Sequence, residues 1–165
     1  MHLQPILSNT EILLQPLELN NFDDLYMAAS DPLIWEQHPD KLRYQKNVFQ
    51  KYFDSAIKSK GAFLIVNKLT NEIIGSSRFY EFDATKSEIT IGYTFIARKY
   101  WGTNCNQSIK KLMLEYAFNY VETVLFTIGI NNIRSQKAIK KIGAQLLRKQ
   151  DDSLVYFINK GYANV

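Results

Sequence analysis

The stretch ARKYWGTNCNQSIKK, Ala97 to Lys111, places Gly102, Thr103, Asn104 and Asn106 in a short loop between a strand and the start of a helix. A helix N-terminus offers unpaired backbone N–H groups and a partial positive charge, which is what a pyrophosphate requires. Gly and Asn tolerate positive φ, so they can turn successive N–H groups inward as a nest. Thr103 adds a hydroxyl donor, and Arg98 and Lys99 add charge beside it. The bland alternative is an ordinary strand-to-helix connection with a capping Asn. A second stretch, NNIRSQKAIKKIGA, Asn131 to Ala144, also leaves a strand and opens a helix, here a basic one with Arg134, Lys137, Lys140 and Lys141. Ala138, Ile139 and Ile142 give that helix a core side, so its cations read equally well as a solvated face. The lone cysteine, Cys105, sits where a helix N-terminus could lower its pKa, yet neither His2 nor His38 is close in sequence to serve it as a base.

The elements that position these stretches follow from periodicity. EILLQPL, Glu11 to Leu17, reads as a strand that Pro16 confines to an edge or an end. Asn20 or Asn21 caps a short helix over Phe22 to Ala29, stopped by Asp31-Pro32. From Gln45 to Lys58 apolar residues recur in pairs four apart, Val48/Phe49, Tyr52/Phe53 and Ala56/Ile57, as one stripe of an amphipathic helix ended by Gly61. AFLIV, Ala62 to Val66, is a continuous apolar run, as expected of a strand buried on both faces. Glu72 to Phe82 is a second strand of a meander. Its third, Glu88 to Ile96, alternates Ile89, Ile91, Tyr93 and Phe95 on one side with Thr90, Gly92 and Thr94 on the other.

A helix over Asn106 to Tyr120 turns Ile109, Leu112, Met113, Tyr116, Ala117 and Tyr120 inward and Lys110, Lys111, Glu115 and Asn119 outward. Val121 to Ile130 is a strand, Asn131-Asn132 caps the basic helix and Gly143 closes it. Ala144 to Leu147 and Leu154 to Ile158 make a final hairpin. The order β-α-α-β-β-β-α-β-α-β-β specifies an α/β domain with a mixed sheet and helices on its faces.

Size and composition bound the classes. The chain has 165 residues, 46% hydrophobic and 22% charged, which is one ordinary domain, 1–165, with enough apolar material for a core. One cysteine forms no internal disulfide, and no Cys/His cluster is spaced for zinc, so no metal is expected. No apolar run is long enough for a membrane helix and the N-terminus lacks a signal pattern, so the expectation is a cytoplasmic protein with no membrane partner. Twenty Lys and Arg against sixteen Asp and Glu give +4, an excess that favours anionic partners such as nucleic acid or a phosphate-bearing cofactor. The bases concentrate between Arg98 and Lys149, so an anion site is expected after residue 95. Two Trp, ten Tyr and ten Phe suit a stacking surface for nucleic acid, but most fall on core-facing periods and no RNP-like run appears, so no nucleic-acid partner is expected.

Together and in this order, the two helix-opening stretches resemble the GNAT acetyltransferases, most closely the branch containing the ribosomal-protein N-terminal acetyltransferases. There the loop reads Y-W-G-x-G-x-N/A-x-E-A, and here the chain has Tyr100, Trp101, Gly102, Thr103, Asn104, Cys105 and Asn106. The later signature N-x-R-S-x-x-A-I-x-x-x-G-A/F matches Asn132, Arg134, Ser135, Ala138, Ile139, Gly143 and Ala144, and Ile91-Gly92-Tyr93 supplies the I-G-Y upstream. One position departs: Asn104 stands where the family has Gly. A left-handed Asn104 would cost about 1 kcal/mol and place a side chain near the pyrophosphate.

The resemblance implies a mixed, mostly antiparallel sheet of about seven strands, splayed between its fourth and fifth, with about four helices on its faces. It implies acetyl-CoA as cosubstrate and a primary amine, a protein N-terminus or a small molecule, as acceptor. Phe95, Ile96 and Ala97 would pair with the pantetheine amides, and Trp101, Gly102, Thr103, Asn104 and Asn106 would hold the pyrophosphate. Asn132 would contact the pantetheine arm, Ser135 would stabilise the departing thiolate, and Lys137 and Lys140 would reach the 3′-phosphate or adenine. Glu81, at the end of the middle strand, is the nominal general base, and Tyr80 and Tyr93 are alternative acids or walls. Trp35, His38 and Tyr93 are the expected acceptor contacts. Relatives often form homodimers. A GNAT domain that binds CoA or a partner without turnover, and more remotely a nucleic-acid-binding module, are the other readings.

Overall fold

In the computed structural model, which describes residues 1–162, the apolar runs become the strands of one sheet. In chain order these are β1 (Leu7–Ser8), β2 (Ile12–Pro16), β3 (Ala62–Asn67), β4 (Glu72–Asp83), β5 (Glu88–Ile96), β6 (Thr123–Gly129), β7 (Gln145–Gln150) and β8 (Ser153–Asn159). They lie in the order β1-β2-β3-β4-β5-β6-β8-β7. Described neighbours pair antiparallel except β5 and β6, which are parallel. The helices are α1 (Phe22–Ala29), α2 (Lys46–Ser59), α3 (Cys105–Ala117) and α4 (Ile133–Lys141). The eighth strand, β1, is a two-residue addition pairing Leu7 with Leu14. It is too short to leave a period in the sequence.

Helices cover both faces. Against one face α1 and α2 bury Leu25, Phe49, Phe53 and Ala56 over Leu64 and Phe95. On the other, α3 and α4 bury Ile109, Met113 and Ile139 over Phe63, Ile89 and Phe126. Each Leu, Ile, Met or Phe among them contributes roughly 1.5–3 kcal/mol by leaving water. Ala62 to Ile65 are buried in succession, as a strand covered on both faces requires.

Three expectations need correction. Helix α2 ends through Lys60, which takes the left-handed conformation at φ 48°. Gly61 instead makes room: a Cβ there would lie 2.2 Å from the Phe79 carbonyl oxygen. The alternation of β5 breaks at Tyr93, so Ile89 and Ile91 face α3 while Phe95 joins the α1/α2 core. Helix α3 is rotated by about one residue from the expected stripe, burying Lys110 and Leu114 while Leu112 is half-buried and Tyr120 exposed.

Candidate active site

Strands β5 and β6 are joined only through Glu88↔Thr123, Ile89↔Val124 and Thr90↔Leu125. Beyond those pairs they part, leaving a gap flanked by Ile91–Ile96 and Phe126–Gly129. The separation has a local cause in β5. Phe95 pairs with Ser76 and Gly92 with Arg78, so β5 spends one more residue than β4 over that interval and bulges. Tyr93, in the bulge, has φ 52°, a conformation costing a side-chain-bearing residue about 1–3 kcal/mol. Two contacts hold it: the Tyr52 hydroxyl of α2 donates to the Tyr93 carbonyl at 2.9 Å, and the Arg78 guanidinium lies 4.1 Å from the centre of the Tyr93 ring. Tyr80 passes over the strand at Gly92, where a Cβ would meet its ring at 2.9 Å. It meets the Tyr93 ring edge-on at 5.2 Å. Burial pushes the Tyr80 phenol up to about 12, so it keeps its proton at neutral pH.

At the far end of β5 the loop into α3 is built on Gly102, at φ 73°, where an added Cβ would meet nothing within 4 Å. Asn104 is right-handed, at φ −76° and ψ 0°, as the residue before α3. The expected left-handed strain at Asn104 is therefore absent, because Gly102 takes the turn. Thr103 Oγ donates to the Tyr100 carbonyl at 2.7 Å and accepts from the Cys105 N–H at 3.2 Å, so its hydroxyl closes the turn that leads into the helix. The first helical bond runs from Ser108 N–H to the Asn104 carbonyl, which leaves the Asn106 and Gln107 amides at the open end of α3. Trp101 anchors the loop by donating its indole N–H to the Ile96 carbonyl at 3.2 Å.

Arg98 and Lys99 do not reinforce the loop. Each is engaged in an ion pair at 2.6 Å, with Asp31 and Glu72 respectively, beside a cleft of about 910 Å³ that includes Ala97 but none of Trp101–Asn106. Cys105 is buried, which pushes its thiol up to about 11 and removes it as a nucleophile at neutral pH.

On the β6 side, Asn132 caps α4, its Oδ1 accepting from the Ser135 N–H at 3.2 Å. Ser135 is half-buried at that helix start, and Lys137 and Lys140 are exposed further along. Gln136, which the sequence does not single out, ties α4 to β6 by donating to the Ile130 carbonyl at 2.9 Å. Arg134 joins the two motifs: its guanidinium sits 3.7 Å from the centre of the Trp101 ring and contacts Glu36 at 3.4 Å. Its backbone N–H donates to Gln37 Oε1 at 3.0 Å, and Pro39 packs where a Cβ on Gly129 would lie, 2.9 Å away. The segment 32–39 is thus a strap from the β5 side of the gap to its β6 side.

Within the strap Trp35 is 2% exposed, 5.1 Å from Phe95, with its N–H donated to the Ala29 carbonyl at 2.8 Å. That burial makes Trp35 a fixture of the strap rather than a surface for an acceptor, contrary to expectation. His38 is held between the Asp40 N–H, at 3.0 Å, and Arg43, at 3.3 Å. Burial first, and the Arg43 charge second, lower it to about 4, so it is neutral at pH 7. Glu81 is exposed, has φ 52°, and lies 3.4 Å from the Thr90 hydroxyl, level with the last β5–β6 pair at the closed end of the gap.

The residue least expected here is Lys110. It reaches from α3 to the Thr94 hydroxyl at 2.7 Å, with Phe126 of β6 at 5.9 Å, and so stands at the fork where β5 and β6 divide. Burial lowers its ammonium to about 7.

The family model of the acetyltransferase (GNAT) domain matches residues 11–145. The chain belongs to the GNAT acetyltransferase family. A probable GNAT acetyltransferase from Chromobacterium violaceum ATCC 12472 superposes with a TM-score of 0.81 at 17% identity, over 93% of this chain and 85% of the other. A GCN5-related N-acetyltransferase from Brucella melitensis gives 0.79 at 16%, over 94% and 79%. The microcin C7 self-immunity acetyltransferase MccE, solved in complex with acetyl-CoA and AMP, gives 0.74 at 15%, over 96% and 99%. No curated protein matches the chain by sequence. In this GNAT domain, among the described residues, no helix is long and apolar enough to cross a membrane, and no group of three or more His, Cys, Asp or Glu side chains gathers to hold a metal.

Proposed function

We propose that this GNAT domain is an acetyl-CoA-dependent N-acetyltransferase that acetylates a primary amine in the cytoplasm, the amine attacking the thioester directly. The observation that carries the reading is the gap between β5 and β6, open beyond Thr90 and Leu125 and ending at the uncapped amides of α3. The residues fit the cosubstrate. Beyond Thr90 and Leu125 the facing strand edges have no ladder partner in each other, as an added extended amide chain requires, and Gly102 leaves open space where a pyrophosphate would approach. Acetyl-CoA supplies the activated acetyl group and a thiolate as leaving group.

Phe95, Ile96 and Ala97 pair with the pantetheine amides. Trp101, Gly102, Thr103, Asn104 and Asn106 frame the pyrophosphate, Thr103 by holding the loop rather than by donating outward. Asn132 orders the start of α4 beside the pantetheine arm, while Lys137 and Lys140 face the 3′-phosphate. A backbone N–H in the Tyr93 bulge polarises the carbonyl. Ser135 donates to the sulfur, with the protonated Tyr80 phenol as a second donor above the bulge. Glu81, the carboxylate next to Tyr80, accepts the ammonium proton through water. His38 and Tyr93 border the acceptor.

Calorimetry with acetyl-CoA tests the cosubstrate site. Wild type is expected to bind in the micromolar range, and Gly102→Glu at least tenfold more weakly, because a carboxylate then occupies the open space at the α3 N-terminus. Equal binding by the two proteins would move the cosubstrate elsewhere. Acetylation of an amine, read as CoA thiol release, tests the transfer.

A further inference from the structure

Arg78 is a buried cation without a carboxylate. It lies in β4, is 4% exposed, and makes one described hydrogen bond, from Nη1 to the Ser55 hydroxyl at 3.2 Å. Its Nε and Nη2 are buried without a partner among the described residues, and none of the ion pairs there involves it. The rings of Tyr93 and Tyr52 lie against it, at 4.1 and 5.8 Å. Such rings offset only part of the cost of taking a guanidinium out of water, and a buried charge is ordinarily paired. Two unused N–H groups on one rigid fork have the geometry of a bidentate oxyanion site.

The position of this fork gives it a use. Arg78 pairs with Gly92, directly before the bulge residue Tyr93 at which the acetyl group would be delivered. It also lines a cleft of about 590 Å³ along α2, together with Lys51, Ser55, Lys58, Ser59 and Asp54. Asp54 accepts a hydrogen bond from Gln50 at 2.8 Å, and the cleft holds three cations to that one carboxylate. Charge concentration after residue 95 does not reveal this place, because Arg78, Lys51 and Lys58 are scattered in a half of the chain rich in acid.

We propose that Arg78 is the anion-recognition residue of the acceptor site, and that the acceptor is a primary amine carrying an oxyanion, a carboxylate or a phosphate, close to the reacting nitrogen. Lys51 and Lys58 draw the anion into the cleft, and the guanidinium fixes it beside the bulge. This rests on the acetyltransferase reading and narrows its substrate class away from polyamines and other polycations.

The test measures CoA release with paired acceptors: a peptide beginning with Asp against one beginning with Asn, glucosamine 6-phosphate against glucosamine, and spermidine. In wild type at least one anionic member should exceed its neutral partner tenfold or more in kcat/KM, which partner it is telling carboxylate from phosphate. Arg78→Met, similar in volume and uncharged, should bring that ratio to within about twofold, through a loss of kcat/KM confined to the anionic member of the pair. A preference for neutral or cationic amines in wild type, or a ratio that survives Arg78→Met, overturns the proposal. Should Arg78→Met fail to fold, Lys51→Gln/Lys58→Gln is expected to lower the same ratio several-fold, and no change overturns the proposal. If acetyl-CoA binds and no amine is acetylated, the transferase reading fails, and the anion site is judged alone. Saturable, Arg78-dependent binding of glutarate or inorganic phosphate, followed by tyrosine and tryptophan fluorescence, upholds it; no such binding sinks it.

Discussion

Lys110 shows what one side chain can cost a fold and why it is tolerated. Its ammonium has one acceptor, Thr94 Oγ, which is itself 2.7 Å from Ser77 Oγ. Folding therefore favours the neutral amine, and the group falls from 10.5 to about 7 through burial. The unfolded chain then binds the extra proton between pH 7 and about 10.5, so stability rises with pH across that window and the penalty is full below it. Lys110→Met is expected to be more stable than wild type at pH 7, by on the order of 2–4 kcal/mol, and to lose most of the rise in Tm toward pH 10. Thermal melts of the two proteins across that range check this, and equal slopes would show that another group titrates. Helical spacing assigns Lys110 to solvent because spacing registers only the centre of a stripe. The resemblance implies that the sheet splays, but no spacing in the sequence places this position of the helix over the fork, where a slot takes a long chain with a polar end. Arg78 was hidden for another reason, standing among scattered cations in a half of the chain rich in acid. Gly102 was legible, since few residues other than glycine turn a loop at φ 73° without strain.

At the scale of elements, the strap 32–39 and the start of α4 act as one unit. Arg134 stacks on Trp101, reaches Glu36, and donates its N–H to Gln37. Arg134→Met keeps the backbone bond and the apolar contact but removes the charge and the fork. Stability should fall by about 1–2 kcal/mol, with amide exchange accelerating in 33–39 before it does in α2 or β4. Exchange mapped by mass spectrometry decides this, and unchanged protection of the strap would show that Pro39 and Trp35 suffice. The elements themselves were largely readable: seven of the eight strands and all four helices could be placed from periods, apolar runs, caps and turn residues. The bulge in β5 was not, because Tyr93 and Thr94 are ordinary strand residues. What turns Tyr93 to φ 52° is a hydroxyl from α2 and a guanidinium from β4, each remote in sequence.

Across the whole molecule the sheet is held to different tolerances on its two sides. Between β4 and β5 the backbones are so close that a Cβ on Gly75 would lie 2.0 Å from the Phe95 carbonyl oxygen. Carbonyl oxygens in a central ladder cannot yield, so Gly75→Ala is expected to cost more than about 3 kcal/mol or abolish folding. A denaturant titration measures the loss, and a change under 1 kcal/mol would mean that the ladder can spread. Between β5 and β6, by contrast, the ladder has three residue pairs, and the α3/α4 core and the strap must carry the rest of the junction. Under tension applied between β2 and β8 the domain should tear first along that line, leaving each side internally paired. An extended ligand lodged there would act as a rivet across the seam, and the force needed to part the two sides would report its presence.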